Sequence, residues 1–577
     1  MRYTLDIDVP VPMPDGTKLM TNIWRPEVDE SVPVLFARGP YGKDNGEFYA
    51  KPNTFAFVQA GYAVAVQDAR GAHRSGGSLV PHQDDPSDGA ATIEWLAEQS
   101  WCTGSVGMFG GSYMGMVQWL AASIGVPALK AIAPMVTSAD PYRAPWYSSG
   151  GAFSAEVTVS WAVSMAAAEC ARQIARGAAD ADDLAALSAL LSPEQWLGPA
   201  PLAELPLVAK YLPWIDSVFA HPTRDEFWQG SAIDRVSSIR TPALTVTGWY
   251  DLFIGESLAA YEALQRDGAE PARGNQRLVI GPWSHGPLGL LGRYPDRHFG
   301  LAAMQNSAEL TATHIAFFDR WLKGDEHALD DVAPVRIFVM GIDRWRDEQQ
   351  WPLPDVRYTD YHLDSGGRAN TAAGDGVLSP EPAAGTSADR YLYDPRRPVP
   401  TLGGHVLGLT DYNGPADQSP VEGRDDVLVY STAPLDVAVE VTGPVSATLH
   451  VSSAAVDTDF TAKLVDVFPD GRAMLLCEGV QRMRYRDSLV EPTPITPGEV
   501  YPITIDMTAT SNVFLPGHRI RLEVASSNFP RYDRNSNTGG DIAHEPAAAM
   551  VTAVNQVHHG AGHRSRLILP IIDRGTE

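Results

Sequence analysis

Residues 105–121 read SVGMFGGSYMGMVQWLA, and this stretch decides the fold. An apolar strand-like run leads into two glycines and a serine, and a helical pattern begins directly afterwards. A turn this tight pushes the hydroxyl of Ser112 out at the edge of a sheet, beside the positive end of the helix. The pattern departs from the usual G-x-S-x-G because Gly115 falls one residue late. It predicts a nucleophile, and a plain strand-to-helix turn is the alternative.

The flanking sequence places this turn in a βαβ sheet. Short β-branched runs alternate with helical patterns up to about residue 140, and strand signals return at residues 242–247 and 277–280. Between them, residues 145–240 are rich in Ala and Leu and have no strand signal, which indicates an inserted helical cap. The fold prediction is an α/β-hydrolase domain made of residues 1–144 and 241–354, with a cap at 145–240.

The remaining chain, residues 355–577, has a different pattern. Short alternating runs are punctuated by Gly and Pro, which predicts an antiparallel β jelly roll. Within it, residues 369–389 are rich in Gly, Ala, Ser and Thr and are expected to form an exposed loop.

Two further strand ends supply the groups that a serine nucleophile needs. A serine hydroxyl requires a histidine to accept its proton and a carboxylate to orient that histidine. Asp251 follows the run ALTVTGWY, and His285 follows LVIGPWS, so both are expected at the same sheet edge as Ser112. The chain order Ser, Asp, His is that of α/β-hydrolases. Asp68 also ends a strand, but it precedes the serine and is expected to have a turn or ion-pair role.

Attack on a carbonyl also requires donors for the negative charge that forms on oxygen. The backbone N–H of Tyr113, directly after the serine, is one expected donor. Tyr41 follows the strand predicted at residues 32–38, where α/β-hydrolases place a second donor. The alternative for Tyr41 is an amphipathic tyrosine on a turn.

Composition excludes several other classes. A net charge of −26 without a basic cluster argues against a nucleic-acid partner, and no apolar run is long enough for a membrane span. The amino-terminal residues lack the pattern of an export signal, which predicts a cytoplasmic protein.

The three cysteines are expected to be free, buried thiols. Clustered histidines at 558, 559 and 563 have no carboxylate or cysteine near them in sequence, so we expect solvated side chains and no metal site.

Several of these motifs resemble the cocaine esterase family of bacterial serine hydrolases over nearly the whole chain. They are RGPY at 38–41, GGSYMG at 110–115, GWYD at 248–251, GPWSH at 281–285, and the tail segments DTDFTAKL at 457–464 and SSNFP at 526–530. The resemblance implies the α/β-hydrolase, cap and jelly-roll architecture predicted above. It also implies that the hydroxyl of Tyr41 completes the oxyanion hole, that no cofactor is needed, and that the protein forms a homodimer.

The resemblance further implies an acyl pocket that suits a flat aromatic group such as benzoyl. Its expected lining is Trp146, Trp161, Phe253 and Leu407, with ordinary core packing as the alternative. Gly408 stands where that family presents a bulky aromatic residue, which predicts a roomier or differently shaped acyl site.

The expected activity is hydrolysis of a small carboxylic ester through an acyl-enzyme on Ser112. One alternative is an α-amino-acid ester hydrolase or X-Pro dipeptidyl peptidase, which share the resembled architecture but need a carboxylate cluster that the sequence does not reveal. Another is an inactive hydrolase scaffold whose β domain binds a carbohydrate or a protein partner.

Overall fold

The computed structural model describes residues 2–46, 52–286, 289–305, 309–382, 384–408 and 413–573. A ten-stranded sheet dominates the first part of the chain, in the order β1-β2-β4-β3-β5-β6-β7-β8-β9-β10. Its strands are β1 (Tyr3–Pro12), β2 (Lys18–Pro26), β3 (Val32–Gly39), β4 (Ala63–Asp68), β5 (Cys102–Gly111), β6 (Leu129–Met135), β7 (Leu244–Tyr250), β8 (Arg277–Ser284), β9 (Val335–Val339) and β10 (Arg344–Glu348).

The seven strands from β4 to β9 in this order pair in parallel, and the pairs β1–β2, β2–β4 and β9–β10 are antiparallel. Strand β7 is buried along its whole length, as expected for a parallel strand covered on both faces. The outer strand β1, which the sequence patterns did not indicate, is mostly exposed, and its exposed side chains include Tyr3, Leu5 and Ile7. Parallel pairing brings the carboxyl ends of β5, β7 and β8 to one edge of the sheet.

The helices cover the sheet and form the region between β6 and β7. Those of the sheet are α1 (Thr54–Gln59), α2 (Asp85–Ala97), α3 (Tyr113–Ser123), α8 (Ile254–Asp267) and α9 (Leu310–Phe318). Those between β6 and β7 are α4 (Ala155–Ile174), α5 (Ala181–Ala189), α6 (Pro206–Tyr211) and α7 (Ile215–Ala220). The latter pack around a cluster of aromatic side chains that includes Trp146 and Trp214.

The carboxy-terminal region is a second sheet of eleven strands. They are β11 (Val356–Asp364), β12 (Val377–Ser379), β13 (Thr386–Tyr393), β14 (Leu428–Ser431), β15 (Val439–Ser453), β16 (Asp459–Val467), β17 (Ala473–Arg482), β18 (Tyr501–Phe514), β19 (Arg519–Ala525), β20 (Ala553–Gly560) and β21 (Arg566–Ile572). The pairing is antiparallel except for one parallel contact between β12 and β14.

The prediction of an exposed loop at residues 369–389 is confirmed for most of the segment and is wrong for its two ends and for the two short strand portions. The segment contains β12 and the first half of β13, and its two ends, Ala369 and Asp389, are fully buried. Asp389 accepts hydrogen bonds from the hydroxyls of Tyr430 (2.8 Å) and Ser365 (2.7 Å). Small and hydroxylated residues lie in strands here because neighbouring strands supply the hydrogen bonds and the apolar cover.

The two sheets share a hydrophobic core. Trp249 and Phe338 of the first sheet lie in the same buried cluster as Leu428 and Val513 of the second. The hydroxyl of Tyr250, at the end of β7, also donates to the carbonyl of Leu475 in β17 at 3.2 Å. A shared apolar core of this kind is typical of the interior of a single domain rather than of a mobile interface between domains. The second sheet therefore holds the end of β7 in place.

Candidate active site

Ser112 occupies the turn between β5 and α3 in a strained backbone conformation, with φ 58° and ψ −126°. Its N–H donates to the carbonyl of Met135 at 2.9 Å, and its own carbonyl accepts from the hydroxyl of Thr137 at 2.7 Å. A non-glycine residue with positive φ is kept only where its surroundings hold it. The contacts from the end of β6 therefore fix Ser112 at the sheet edge.

The late glycine of the motif has a steric cause. A Cβ on Gly115 would lie 2.5 Å from Cγ2 of Thr137, the same residue that holds the carbonyl of Ser112. Only glycine permits the first turn of α3 to approach Thr137 this closely. The departure from G-x-S-x-G thus follows from the way that this chain supports its serine.

Ser112, His285 and Asp251 form one hydrogen-bonded series. Nε2 of His285 lies 3.1 Å from Oγ of Ser112, and Nδ1 lies 2.9 Å from Oδ2 of Asp251. Asp251 is fully buried, and its other oxygen accepts the N–H of Phe253 at 2.9 Å. The ring of Phe253 meets the imidazole edge to face, with centroids 5.4 Å apart. The three groups can pass a proton from the serine hydroxyl to the imidazole and stabilise the resulting imidazolium.

Tyr113 and Tyr41 line the pocket into which Ser112 opens. Tyr113 is the first residue of α3, so its N–H has no acceptor within the helix. Tyr41 is half-buried, and its hydroxyl accepts a hydrogen bond from Nε1 of Trp161 at 3.3 Å. Two donors thus stand in the same pocket as the hydroxyl of Ser112.

Asp85, which the sequence patterns did not indicate, joins the two segments that carry these donors. Its carboxylate forms an ion pair with the buried Arg38 at the end of β3 and accepts the hydroxyl of Tyr113 at 2.6 Å. Burial and the neighbouring Asp85 raise the pKa of Tyr113 well above its ordinary value, so the hydroxyl stays protonated and continues to donate. Because Asp85 comes from another helix, α2, no local motif could reveal this link.

Asp68 has the turn role expected for it. One carboxylate oxygen accepts the N–H of Lys43 at 2.6 Å, and the other accepts the N–H of Arg74 at 3.3 Å. Lys43 is two residues beyond Tyr41, so Asp68 and Arg38 hold the Tyr41 loop at both ends. Asp68 therefore belongs to the support of the pocket.

The four residues expected in the acyl pocket lie together beside Ser112. Trp146 and Trp161 come from the region between β6 and β7, Phe253 follows Asp251, and Leu407 comes from the carboxy-terminal region. Trp146 and Phe253 are buried, and the indole rings of Trp146 and Trp161 meet edge to face at 5.7 Å. The empty space between them is about 30 Å³.

Glu156, which sequence reasoning missed, holds Leu407 over this pocket. Its Oε2 accepts the N–H of Leu407 at 2.8 Å, and burial raises its pKa to about 7.

Gly408 follows Leu407 with φ +72°, and a Cβ there would lie 3.0 Å from Cα of Gly286. The glycine therefore permits a close backbone contact beside His285, and it does not line the pocket among the residues described. The expectation of a roomier or differently shaped acyl site stays a prediction.

A narrow cleft with several ionisable groups adjoins the acyl pocket behind Pro145 and Val157. It is lined by the carboxyl groups of Glu256, Glu478 and Asp506 and by the guanidinium groups of Arg143 and Arg531. Burial raises the pKa of Glu256 to about 8 and that of Asp506 in the same direction. Glu478 forms an ion pair with Arg531 at 3.1 Å. These residues are far apart in sequence, and for that reason the cluster was missed.

One of the three clustered histidines, His559, is not the solvated side chain that was expected. His559 is buried, and Nε2 lies 3.0 Å from Oδ2 of Asp389 and 3.0 Å from the hydroxyl of Ser365, so the expectation of a solvated side chain is wrong. In the described ranges, no group of three or more His, Cys, Asp and Glu side chains is arranged to hold a metal ion. Within the same ranges, no helix has the length and apolar character of a membrane span. All three cysteines are buried and free.

Comparison with known proteins gives matches over both halves of the chain. A model of the X-Pro dipeptidyl-peptidase (S15) family matches residues 15–287, and a model of the X-Pro dipeptidyl-peptidase C-terminal non-catalytic domain matches residues 327–568. The chain is 53% identical to cocaine esterase of Rhodococcus sp. (strain MB1 Bresler), with 99% of each chain covered. It is 26% identical to a putative serine esterase of Mycobacterium bovis (strain ATCC BAA-935 / AF2122/97), over 89% of this chain and 84% of the relative.

Two solved structures share the architecture. An aminopeptidase from the marine sediment archaeon Thaumarchaeota archaeon superposes with a TM-score of 0.80 at 26% identity, covering 99% of this chain and 97% of the other. An α-amino acid ester hydrolase superposes with a TM-score of 0.82 at 24% identity, covering 99% and 96%. The predicted α/β-hydrolase fold with an appended β domain is thereby confirmed.

Proposed function

This chain belongs to the cocaine esterase family and hydrolyses ester bonds, and we propose that it does so through an acyl-enzyme on Ser112. The observation that carries the proposal is the unbroken series from the Asp251 carboxylate through His285 to the hydroxyl of Ser112, at 2.9 and 3.1 Å. Hydrogen bonding to Asp251 keeps the proton of the neutral imidazole on Nδ1, which leaves Nε2 free to act as a base.

In the first half-reaction Oγ of Ser112 attacks the ester carbonyl carbon while Nε2 of His285 takes the hydroxyl proton. The hydroxyl of Tyr41 and the N–H of Tyr113 donate to the oxyanion, where preorganised donors have their largest effect. The tetrahedral intermediate then breaks its bond to the alcohol oxygen, which receives the proton from His285. The alcohol leaves, and the acyl group remains as an ester of Ser112.

In the second half-reaction water replaces the alcohol. His285 takes a proton from water as its oxygen attacks the acyl carbon, and the same two donors stabilise the second oxyanion. Cleavage of the bond to Oγ releases the carboxylic acid, and His285 returns the proton to Ser112. No step needs a cofactor.

The proposed acyl group is a flat aromatic one, benzoyl-like, as the resemblance to the family implies. Its support is the lining of Trp146, Trp161, Phe253 and Leu407, which offers ring faces and an aliphatic side chain and no charge. A charged acyl group would lose its hydration there without a partner.

The test compares the wild type with Ser112→Ala on phenyl acetate and phenyl benzoate. Loss of the nucleophile should lower kcat by a factor on the order of 10⁶, as in other serine hydrolases. A fluorophosphonate probe should label the wild type and not the variant, with circular dichroism as the control for folding. Turnover that persists in the variant would refute the assignment of Ser112, and failure to label the wild type would favour an inactive scaffold.

A second candidate is an α-amino-acid ester hydrolase, and the adjoining cleft with Glu256, Glu478 and Asp506 is the observation that favours it. An ammonium group needs an ionised carboxylate as its partner. The two arginines in the cleft leave an excess of only one formal negative charge, and the raised pKa of Glu256 keeps that group protonated at neutral pH. We therefore favour an ester substrate without an ammonium group. The test compares the hydrolysis of phenyl acetate with that of an amino-acid ester and an X-Pro anilide.

We also keep the predictions of a cytoplasmic location and a homodimer, which rest on the sequence and on the family resemblance. Cell fractionation tests the first, and sedimentation velocity of the purified protein tests the second.

A further inference from the structure

The acyl pocket is too small for the aromatic groups that its lining suits. Its empty space of about 30 Å³ compares with the ~150 Å³ of an apolar cavity that binds benzene. A benzoyl group, and still more a larger ring system, requires one wall of the pocket to move.

A second cavity of about 400 Å³ lies directly behind two of these walls. We call it the rear cavity, and it shares His82 and Trp146 with the acyl pocket. Its other lining is largely apolar and includes Leu120, Ser123, Trp214 and Trp228. The two spaces would form one continuous site if either shared side chain swung aside.

Trp146 is the firmer of the two walls. Its ring packs against Trp161 at 5.7 Å and Trp214 at 5.5 Å, and the side chain is 3% exposed. Moving it would open the aromatic cluster between β6 and β7 and would expose apolar surface that is now buried.

His82 is held much less firmly. Its backbone N–H donates to Oδ2 of Asp85 at 3.0 Å, but Nε2 of its ring is buried without a hydrogen-bond partner among the residues described. The main restraints on its ring are a stacked contact with Tyr113 at 5.8 Å and an edge contact with Trp146 at 6.1 Å. An unsatisfied buried nitrogen destabilises the closed position of the ring, and rotation of the ring toward solvent would let water bond to that nitrogen.

The rear cavity has a polar feature of its own. Nε1 of Trp214, a side chain 8% exposed, is buried and has no hydrogen-bond partner within the described ranges. An indole N–H can only donate, so its matching ligand atom is an acceptor. The lining also has the polar side chains of Gln83, Gln229 and Arg235 and three serines, and the tryptophan, leucine and proline side chains beside them suit an aromatic group.

We propose that His82 is a movable wall of the acyl pocket and that the rear cavity behind it receives acyl groups larger than one ring, such as fused bicyclic aromatic acids. The inference rests on the proposed function, because it assigns the acyl side of the same reaction. His82 acts on specificity and takes no part in the bond-making steps.

The test measures kcat/KM for 4-nitrophenyl acetate and 4-nitrophenyl 2-naphthoate and follows their ratio. His82→Ala removes the wall and should raise the naphthoate-to-acetate ratio about 10-fold over the wild type, which is the scale of discrimination by an apolar pocket. Ser123→Phe adds a ring inside the rear cavity and should lower the ratio about 10-fold. Ser123→Ala is the matched control, since it alters the same position without adding volume, and it should keep the wild-type ratio.

The outcomes separate this inference from the proposed function. An unchanged ratio in both His82→Ala and Ser123→Phe, with acetate still hydrolysed, would overturn the rear-cavity assignment and leave the esterase proposal intact. A wild type that neither hydrolyses acetate nor reacts with a fluorophosphonate would refute the proposed function itself. If His82→Ala fails to fold, the comparison of Ser123→Phe with Ser123→Ala tests the proposal alone. If the rear cavity takes no part in binding, these two variants should have the same naphthoate-to-acetate ratio.

Discussion

Replacing Tyr41 with phenylalanine removes one proposed oxyanion donor and leaves the aromatic ring in the pocket. Loss of a single preorganised donor typically lowers kcat by about 10²–10³, or about 2.7–4 kcal/mol of transition-state stabilisation. The donor interacts with charge that exists only in the transition state, so KM should change far less than kcat. We expect the same loss with phenyl acetate and with phenyl benzoate, because both develop the same oxyanion.

The structure adds a second consequence that must be separated from the first. The hydroxyl of Tyr41 also accepts Nε1 of Trp161 at 3.3 Å, and phenylalanine removes that acceptor. This long hydrogen bond contributes about 1 kcal/mol to folding, and it is present before and after the attack, so it should affect the free energy of unfolding more than kcat. Trp161→Phe breaks the same bond and keeps the tyrosine hydroxyl.

Steady-state kinetics and urea unfolding of both variants distinguish these effects. Tyr41→Phe should lose about 10²–10³ in kcat, and Trp161→Phe should lose less than about 10-fold while it is destabilised to a similar degree. The oxyanion role of Tyr41 is refuted if Tyr41→Phe keeps kcat within about threefold of the wild type, or if the two variants lose kcat equally.

Two further predictions concern the support of the site. Burial raises the pKa of Glu156 to about 7, above the ordinary 4.5, so its contribution to stability is complete below about pH 4.5 and is lost as the pH rises through 7. Glu156→Gln should abolish this component, and thermal unfolding between pH 5 and 8 should show the wild type losing stability relative to the variant; parallel curves would contradict the assignment. Gly115→Ala places a Cβ 2.5 Å from Cγ2 of Thr137 and should destabilise the protein by about 1–3 kcal/mol and slow fluorophosphonate labelling. Unchanged stability in urea would show that the turn relaxes freely.

The sequence predicted the parts of this protein that short-range chemistry determines. The turn at Ser112 can be predicted from one short stretch of sequence, because the strand, the two glycines, the serine and the helix follow each other directly in the chain. Asp251 and His285 follow apolar runs whose parallel pairing brings their ends to one sheet edge, and pairing of this kind can be inferred from the alternation of strands and helices.

The residues that were missed act across long distances in the chain. Asp85 joins Arg38 to Tyr113, and Glu156 meets Leu407 across 251 positions. Neither Asp85 nor Glu156 stands in a motif, and each carboxylate reads as a solvated charge in the sequence until the fold buries it. The unexpected burial of Asp389 has the same origin, because its partners come from β14 and from the start of the β domain.

These long-range contacts explain why a domain without reacting groups bears on the chemistry. Leu407 covers the acyl pocket only because Glu156 of α4 holds its N–H and because Gly408 allows the following backbone to rest against Gly286. Asp251 in turn follows β7, whose last side chain, Tyr250, is bonded to the second sheet. The position of the carboxylate and the shape of the acyl pocket therefore both depend on how the two sheets pack. A substitution in their shared core can alter acyl specificity without touching Ser112 or His285.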